Sequence, residues 1–276
     1  GEYVWTGFDY LGEPTPFNSD NTNLLNFRTD PSKRAELEKQ LAELERTQPP
    51  SRSSYFGIVD LAGFPKDRYY LYQSHWRPDL PMAHILPHWN WEGREGQIIP
   101  VHVYTSGTEA ELFVNGKSYG RKVKETGKDF RLVWDSVVYQ PGCVKVVAYK
   151  DGKQWAEDEV QTTGKAQKIR LSADRSSVAG SEDELAFVTV TIVDGSGRKV
   201  PTACLPLKVE VTGCGELVAT DNGDPTSFTP FQSAGRESFN GLALAIVRGK
   251  KGAVGKMQVQ VSGAGLESAS LEIEVK

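Results

Sequence analysis

Glu109-Ala110-Glu111-Leu112-Phe113-Val114-Asn115-Gly116 is the stretch that decides the fold. It starts as alternating polar and apolar residues, the pattern of a strand with one face buried, and runs into an Asn-Gly pair. That dipeptide favours a tight hairpin turn, because both its residues accept positive φ. Asp151-Gly152 repeats the signal between Val144–Lys150 and Gln154–Val160. Ile98–Tyr104 and Phe130–Trp134 read as further strands. Short strands at regular spacing, broken by such turns, predict an immunoglobulin-like β-sandwich over residues 78–163. Pro78 to Pro87 reads as a proline-rich linker that enters it.

A second β unit is expected over residues 164–276. Thr162–Ala166 is the polar linker before it. Its strand candidates are Lys168–Leu171, Leu185–Val193, Leu207–Val211, Glu216–Thr220, Gly241–Val247, Lys256–Ser262 and Ser268–Val275. Asp194-Gly195-Ser196-Gly197 reads as a hairpin turn. The two units are alike in class and not visibly alike in sequence.

Composition narrows the function. The 276 residues carry a net charge of -4 and a pI near 5.7. That balance argues against nucleic acid or an anionic membrane as partner. No run approaches the ~18 apolar residues that a membrane helix needs. Cys143, Cys204 and Cys214 make no metal pattern. Cys204 and Cys214 flank Leu205–Val211 and could be bridged in an oxidising compartment; buried free thiols are the simpler expectation. Asp221-Asn222-Gly223-Asp224 has the look of part of a calcium loop but lacks further acidic residues at alternate positions, so a solvated turn is expected. No metal and no cofactor is expected.

The N-terminal region reads differently. Tyr3–Tyr10 is a short apolar run that breaks into Gly and Pro, the ending of a buried parallel strand. A parallel strand needs neighbours on both sides. No strand–helix alternation follows, so the neighbours are expected upstream and the chain is expected to be a C-terminal piece of a larger protein. Pro31–Arg46 reads as a helix with Asp30 as N-cap and an apolar stripe of Leu37, Leu41 and Leu44. Lys66–Trp76 reads as a helix whose aromatics, at helical spacing, are expected to pack on a core and not to form a ligand platform.

Val4-Trp5-Thr6-Gly7-Phe8-Asp9-Tyr10-Leu11-Gly12-Glu13-Pro14-Thr15-Pro16 and Ser54-Tyr55-Phe56-Gly57-Ile58-Val59-Asp60-Leu61-Ala62-Gly63-Phe64-Pro65-Lys66-Asp67 resemble the end of the catalytic barrel in family 2 glycoside hydrolases. The bacterial β-galactosidases of the gut Bacteroides type look most similar. His88-Trp89-Asn90-Trp91-Glu92-Gly93, Val114–Ser118 and Asp221–Ser227 extend the resemblance. It implies that residues 1–77 are the remnant of a (β/α)8 TIM barrel, giving a mainly β chain with a short α/β stub before two sandwiches.

The resemblance also implies a chemistry. Retaining glycoside hydrolysis uses two carboxylates on opposite faces of the scissile bond. In the family both are glutamates on earlier barrel strands, so no catalytic residue is expected among these 276. Trp5 is expected to bind substrate, as part of the floor under the non-reducing sugar, where an indole covers the C–H face of a pyranose. A core tryptophan is the alternative. Asp9 could accept from a sugar hydroxyl or bond loop N–H groups; Glu13 reads as a loop residue. Family glucuronidases carry an Asn-x-Lys element before the segment matching Ser54-Tyr55-Phe56-Gly57-Ile58. No cation stands there, which argues for a neutral sugar. An oligo- or polysaccharide is the expected partner, with an oligomer open. A periplasmic, outer-membrane-associated or extracellular location follows from the resemblance alone. The competing reading makes the sandwiches carbohydrate-binding modules with Trp134 and Trp155 exposed. The His88–Trp91 aromatics either extend a cleft or fill an interface between sandwich and barrel; the interface is the preferred expectation.

Overall fold

The computed structural model describes residues 4–12, 52–125, 127–181 and 183–276. The expected helix over 31–46, its Asp30 cap and Glu13 lie outside them. Helix α1 (Asp67–Trp76) precedes seven strands: β1 (Ala83–Leu86), β2 (Val101–Thr105), β3 (Glu109–Val114), β4 (Lys117–Val123), β5 (Leu132–Trp134), β6 (Cys143–Lys150) and β7 (Lys153–Gln161). They form a three-stranded sheet, β1-β2-β5, and a four-stranded one, β4-β3-β6-β7. Asn115 and Asp151 take positive φ of 50° and 52° at the two hairpin tips, as their side chains tolerate.

Inward residues of both sheets meet in one core that includes Val101, Val103, Leu112, Trp134, Val144 and Val146. Alternation produces it: β3 is buried at every second residue, as is most of β6. Trp134 is 3% exposed and points inward. Trp155 is partly buried and donates its indole N–H to Ser106 Oγ at 2.8 Å. The exposed aromatic pair of a binding module is therefore absent here. Trp89 is 1% exposed. It packs edge-on against Tyr139 and donates to the Gln140 carbonyl at 2.9 Å. It fills the sandwich's own core, not a barrel interface, because its indole N–H finds a partner there.

The expected linker over 78–87 contains β1. Its Ile85 is buried and its Ile85 N–H bonds Asp158 Oδ2 at 2.8 Å, so the edge is satisfied by a side chain from the other sheet. Helix α1 sits on this sheet: Tyr70 stacks on His84 at 3.9 Å between ring centroids. Tyr70 thus meets the first sandwich.

The second unit has β8 (Lys168–Ala173), β9 (Ser177–Val178), β10 (Leu185–Val193), β11 (Pro206–Gly213), β12 (Gly215–Asp221), β13 (Gly235–Glu237), β14 (Leu242–Gly249), β15 (Gly255–Gly263) and β16 (Ala269–Val275). One sheet runs β12-β14-β10-β8 and the other β13-β11-β15-β16-β9. Val188, Val190, Ile192, Val209, Val259 and Ile273 are among its core residues. Asp194 closes the expected turn by accepting from the Ser196 and Arg198 N–H groups. The three cysteines are free, and Cys204 is exposed, not buried.

One expectation at the N-terminal side changes. Val4–Tyr10 forms no strand among the described residues; it makes one parallel bridge, Phe8 to Val59. The chain bends at Trp5 and Gly7, and its backbone bonds to residues 54–59 begin only at Gly7, so no ladder of paired residues forms. Residues 52–60 dock on the second sandwich as well: the Arg52 N–H bonds the Pro225 carbonyl at 2.6 Å.

Candidate functional site

Trp5 and Asp9 lie on one bent segment with opposite surroundings. Trp5 is 79% exposed in this chain. Tyr55 and Phe8 are exposed beside the same two segments. Asp9 is 5% exposed. Its Oδ1 accepts from the Gly57 N–H at 2.8 Å and from Ser54 Oγ at 3.4 Å. Its Oδ2 lies 2.6 Å from Lys66 Nζ. Asp9 therefore fastens the two barrel-like motifs together. Backbone bonds continue the seam: Asp9 N–H to Val59 O, Ser54 N–H to Tyr10 O, and Ile58 and Val59 N–H to Gly7 O.

Gly57 explains the closeness of the seam. A Cβ there would overlap the backbone of Phe8 and Asp9. Lys66 also donates to the Tyr55 carbonyl at 3.2 Å and sits 4.2 Å over the Tyr55 ring. The other nearby cation is Arg52. Its guanidinium bonds the Thr229 carbonyl at 3.0 Å and lies 4.3 Å over the Phe231 ring. Among the described residues, these two cations by the Ser54–Ile58 segment are thus engaged within the protein.

The Asp221–Ser227 loop is the support beneath this seam. The expectation of a solvated turn is overturned: Asp221 is 9% and Asn222 3% exposed. Asp224 Oδ1 accepts from the Thr226 N–H and hydroxyl. Asn222 donates to the Glu237 carbonyl at 2.9 Å. Arg236, 3% exposed, bonds the Thr220 and Pro230 carbonyls at 2.7 and 2.8 Å. The loop is buried because Arg236 ties it from within and Arg52 and Asp60 cover it. Asp60 Oδ1 accepts from the Phe64 N–H at 2.9 Å. Its carboxylate abuts Gly223, where a Cβ would collide with it. Burial, with Asp221 nearby, pushes its pKa from an ordinary 3.8 up to about 6.

The arrangement offers an exposed aromatic surface beside a closed polar seam. It holds no group of three or more potential metal ligands among the described residues. Trp5 and Asp9 are brought within one segment. Lys66, Gly57 and Arg52 escaped sequence reading as parts of the seam. The Gly57 signal existed, as a glycine inside the resembling motif; the Lys66 pairing spans 57 positions and leaves no local pattern.

Residues 169–272 match the glycoside hydrolase family 2 C-terminal domain 5 family, and residues 96–156 match a domain of unknown function (DUF4982). The whole chain is 41% identical to a β-galactosidase, BoGH2A, of Bacteroides ovatus and covers 28% of that protein's length. A putative β-glucuronidase of Formosa agariphila is 31% identical over 83% of the chain and 20% of its own length. Among solved structures, a β-glycosidase from Bacteroides vulgatus superposes with a TM-score of 0.77 at 37% identity, covering 82% of this chain and 28% of that one. A glycosyl hydrolase family 2 member from Bacteroides cellulosilyticus gives 0.81 at 27% identity, covering 99% and 35%. The chain therefore spans less than a third of the length of these curated relatives.

Proposed function

The chain belongs with the family 2 glycoside hydrolases, and from that membership we propose that it is part of a retaining enzyme for β-linked neutral sugars, with a β-galactoside as substrate. The supporting observation is the engagement of Lys66 by Asp9 and of Arg52 by Thr229. Among the described residues the Trp5 surface is then aromatic, with the cations Lys66 and Arg52 engaged elsewhere. A uronate carboxylate placed there would lose water without gaining a counter-charge, whereas the C–H face of a neutral pyranose is well matched by an indole.

In this reading residues 4–12 and 52–76 close a (β/α)8 barrel, the seam fixes Trp5 at the cleft floor, and the sandwiches buttress it. The acid/base and nucleophile glutamates lie outside these 276 residues, so the chain alone does not turn over substrate. The enzyme works in the periplasm, at the outer membrane or outside the cell. The glucuronide reading has its own support in the Formosa agariphila relative. The protein extended by its upstream region should hydrolyse nitrophenyl β-galactoside with a higher kcat/KM than nitrophenyl β-glucuronide. The reverse order would replace the neutral-sugar reading. Turnover by the 276-residue chain itself, surviving repurification, would show that the catalytic pair lies within it.

A further inference from the structure

A concavity lies at the start of helix α1, lined by none of the residues of the Trp5 and Asp9 seam. It opens between α1, the first sandwich and the Arg198–Pro201 segment of the second, and encloses about 440 Å³. That falls within the ~300–1,000 Å³ range of small-molecule sites. Ile85, Val160 and Pro201 give it an apolar floor.

Its charges are unequally satisfied. The anions have partners: Asp67 Oδ1 is 2.9 Å from His84 Nε2, and Glu159 accepts from Gln161 Nε2 and from the Cys143 thiol. The cations have none. Among the described residues neither the Lys199 nor the Arg198 side chain makes a hydrogen bond or ion pair, although both line the cleft. Lys199 is an exposed residue, yet nearby protein atoms hold its amine below the usual lysine range, with Asp67 only partly offsetting this. A partly desolvated amine that holds no anion is in a state that an anionic ligand relieves.

We propose that this cleft is a second saccharide-binding site, separate from the Trp5 surface, that takes a sugar bearing a carboxylate. Lys199 and Arg198 receive the carboxylate. Asp67 and Glu159, each with lone pairs to spare beyond its present partners, accept ring hydroxyls. Thr163 Oγ1, which accepts from Asn90 Nδ2 at 2.7 Å, keeps its own proton to donate. A bare inorganic anion would use the cations and leave the acceptors idle.

Binding needs no turnover, so its outcome is independent of the substrate assigned above. Calorimetric titration of the 276-residue chain would compare digalacturonate, its methyl ester, galactobiose and sodium sulfate. Digalacturonate should bind at least about tenfold more tightly than the other three, as expected for a charge-assisted contact. Lys199→Gln and Arg198→Gln, each with an unchanged melting temperature, should each weaken digalacturonate about tenfold. Galactobiose or the ester binding as well as digalacturonate would overturn the carboxylate assignment. Sulfate binding equally well would reduce the cleft to an anion site, and no binding, or variants that bind as the parent does, would remove the site altogether.

Discussion

Trp5 and Asp9 are four residues apart and do different work. Trp5 touches little within the protein, so Trp5→Ala should leave the melting temperature unchanged. In the enzyme with its upstream region it should lower kcat/KM by about 10²-fold, through loss of a stacking surface and of substrate positioning. Intact kinetics would return Trp5 to an ordinary exposed side chain. Asp9→Ala should act the other way, on stability. It strands the Lys66 ammonium and orphans the Gly57 N–H. Breaking such a pair costs about 2–3 kcal/mol here, at the lower edge of the usual range because Lys66 keeps 19% of its side-chain surface in solvent. Amide exchange at Gly57 should accelerate while Leu112, in the first core, exchanges as before. Trp5 could be singled out in the sequence because its neighbours form a motif. Whether Asp9 faces a sugar or its own loop could not, because its partners Ser54, Gly57 and Lys66 come from 45 to 57 positions away and only the folded seam brings them in.

Strands with one buried face were legible, and those without one were not. β3, β6, β10 and β15 follow alternating or continuous apolar patterns and were located to within a residue or two. β4 has only Tyr119 partly buried; its polarity hides it, and only hydrogen bonding to β3 makes it a strand. β9 and β13 are two and three residues long and exist because longer neighbours offer an edge. The Asp221–Ser227 loop misled for a related reason: its polarity reads as solvation, while its burial depends on Arg236 and Arg52. That burial has a pH consequence. Asp60 has a folded pKa of about 6 against an ordinary 3.8. A carboxylic acid whose folded pKa is raised favours the folded state when protonated. Its contribution is full below about 3.8 and is lost as pH rises through about 6. At 1.36 kcal/mol per pKa unit the loss is about 3 kcal/mol. Asp60→Asn mimics the protonated form. The melting temperature of the parent should fall relative to that variant between pH 4 and 6.5 and run parallel to it above pH 7. Parallel curves throughout would show that Asp60 feels no burial.

At the scale of the whole molecule the N-terminal segments are shared between the sandwiches. Helix α1 lies on the first through Tyr70 and His84, while residues 52–60 lie on the second through Arg52, Asp60 and the Pro225 carbonyl. Nothing local in the sequence announces the Arg52–Pro225 contact, which spans roughly 170 positions. The link between sandwiches is likewise tied down: the Gly164 N–H bonds Asp194 Oδ2 at 2.9 Å, and Asn90 and Thr163 exchange two hydrogen bonds. Each sandwich nonetheless encloses its own apolar core, and we propose that 78–163 and 164–276 fold separately. The docking then becomes testable without disturbing either core. Gly223 has a φ of +74° and its missing Cβ leaves the space that the Asp60 carboxylate occupies. Gly223→Ala adds left-handed strain and a collision at that one contact. It should release residues 4–12 and 52–60, seen as faster amide exchange at Asp9, Val59 and Arg52. Val190 and Val259, deep in the second core, should keep their protection, because the β10 and β15 ladders do not pass through the loop. If both cores loosen together with the seam, the sandwiches and the N-terminal segments form a single cooperative unit and the proposed division at residue 164 is wrong.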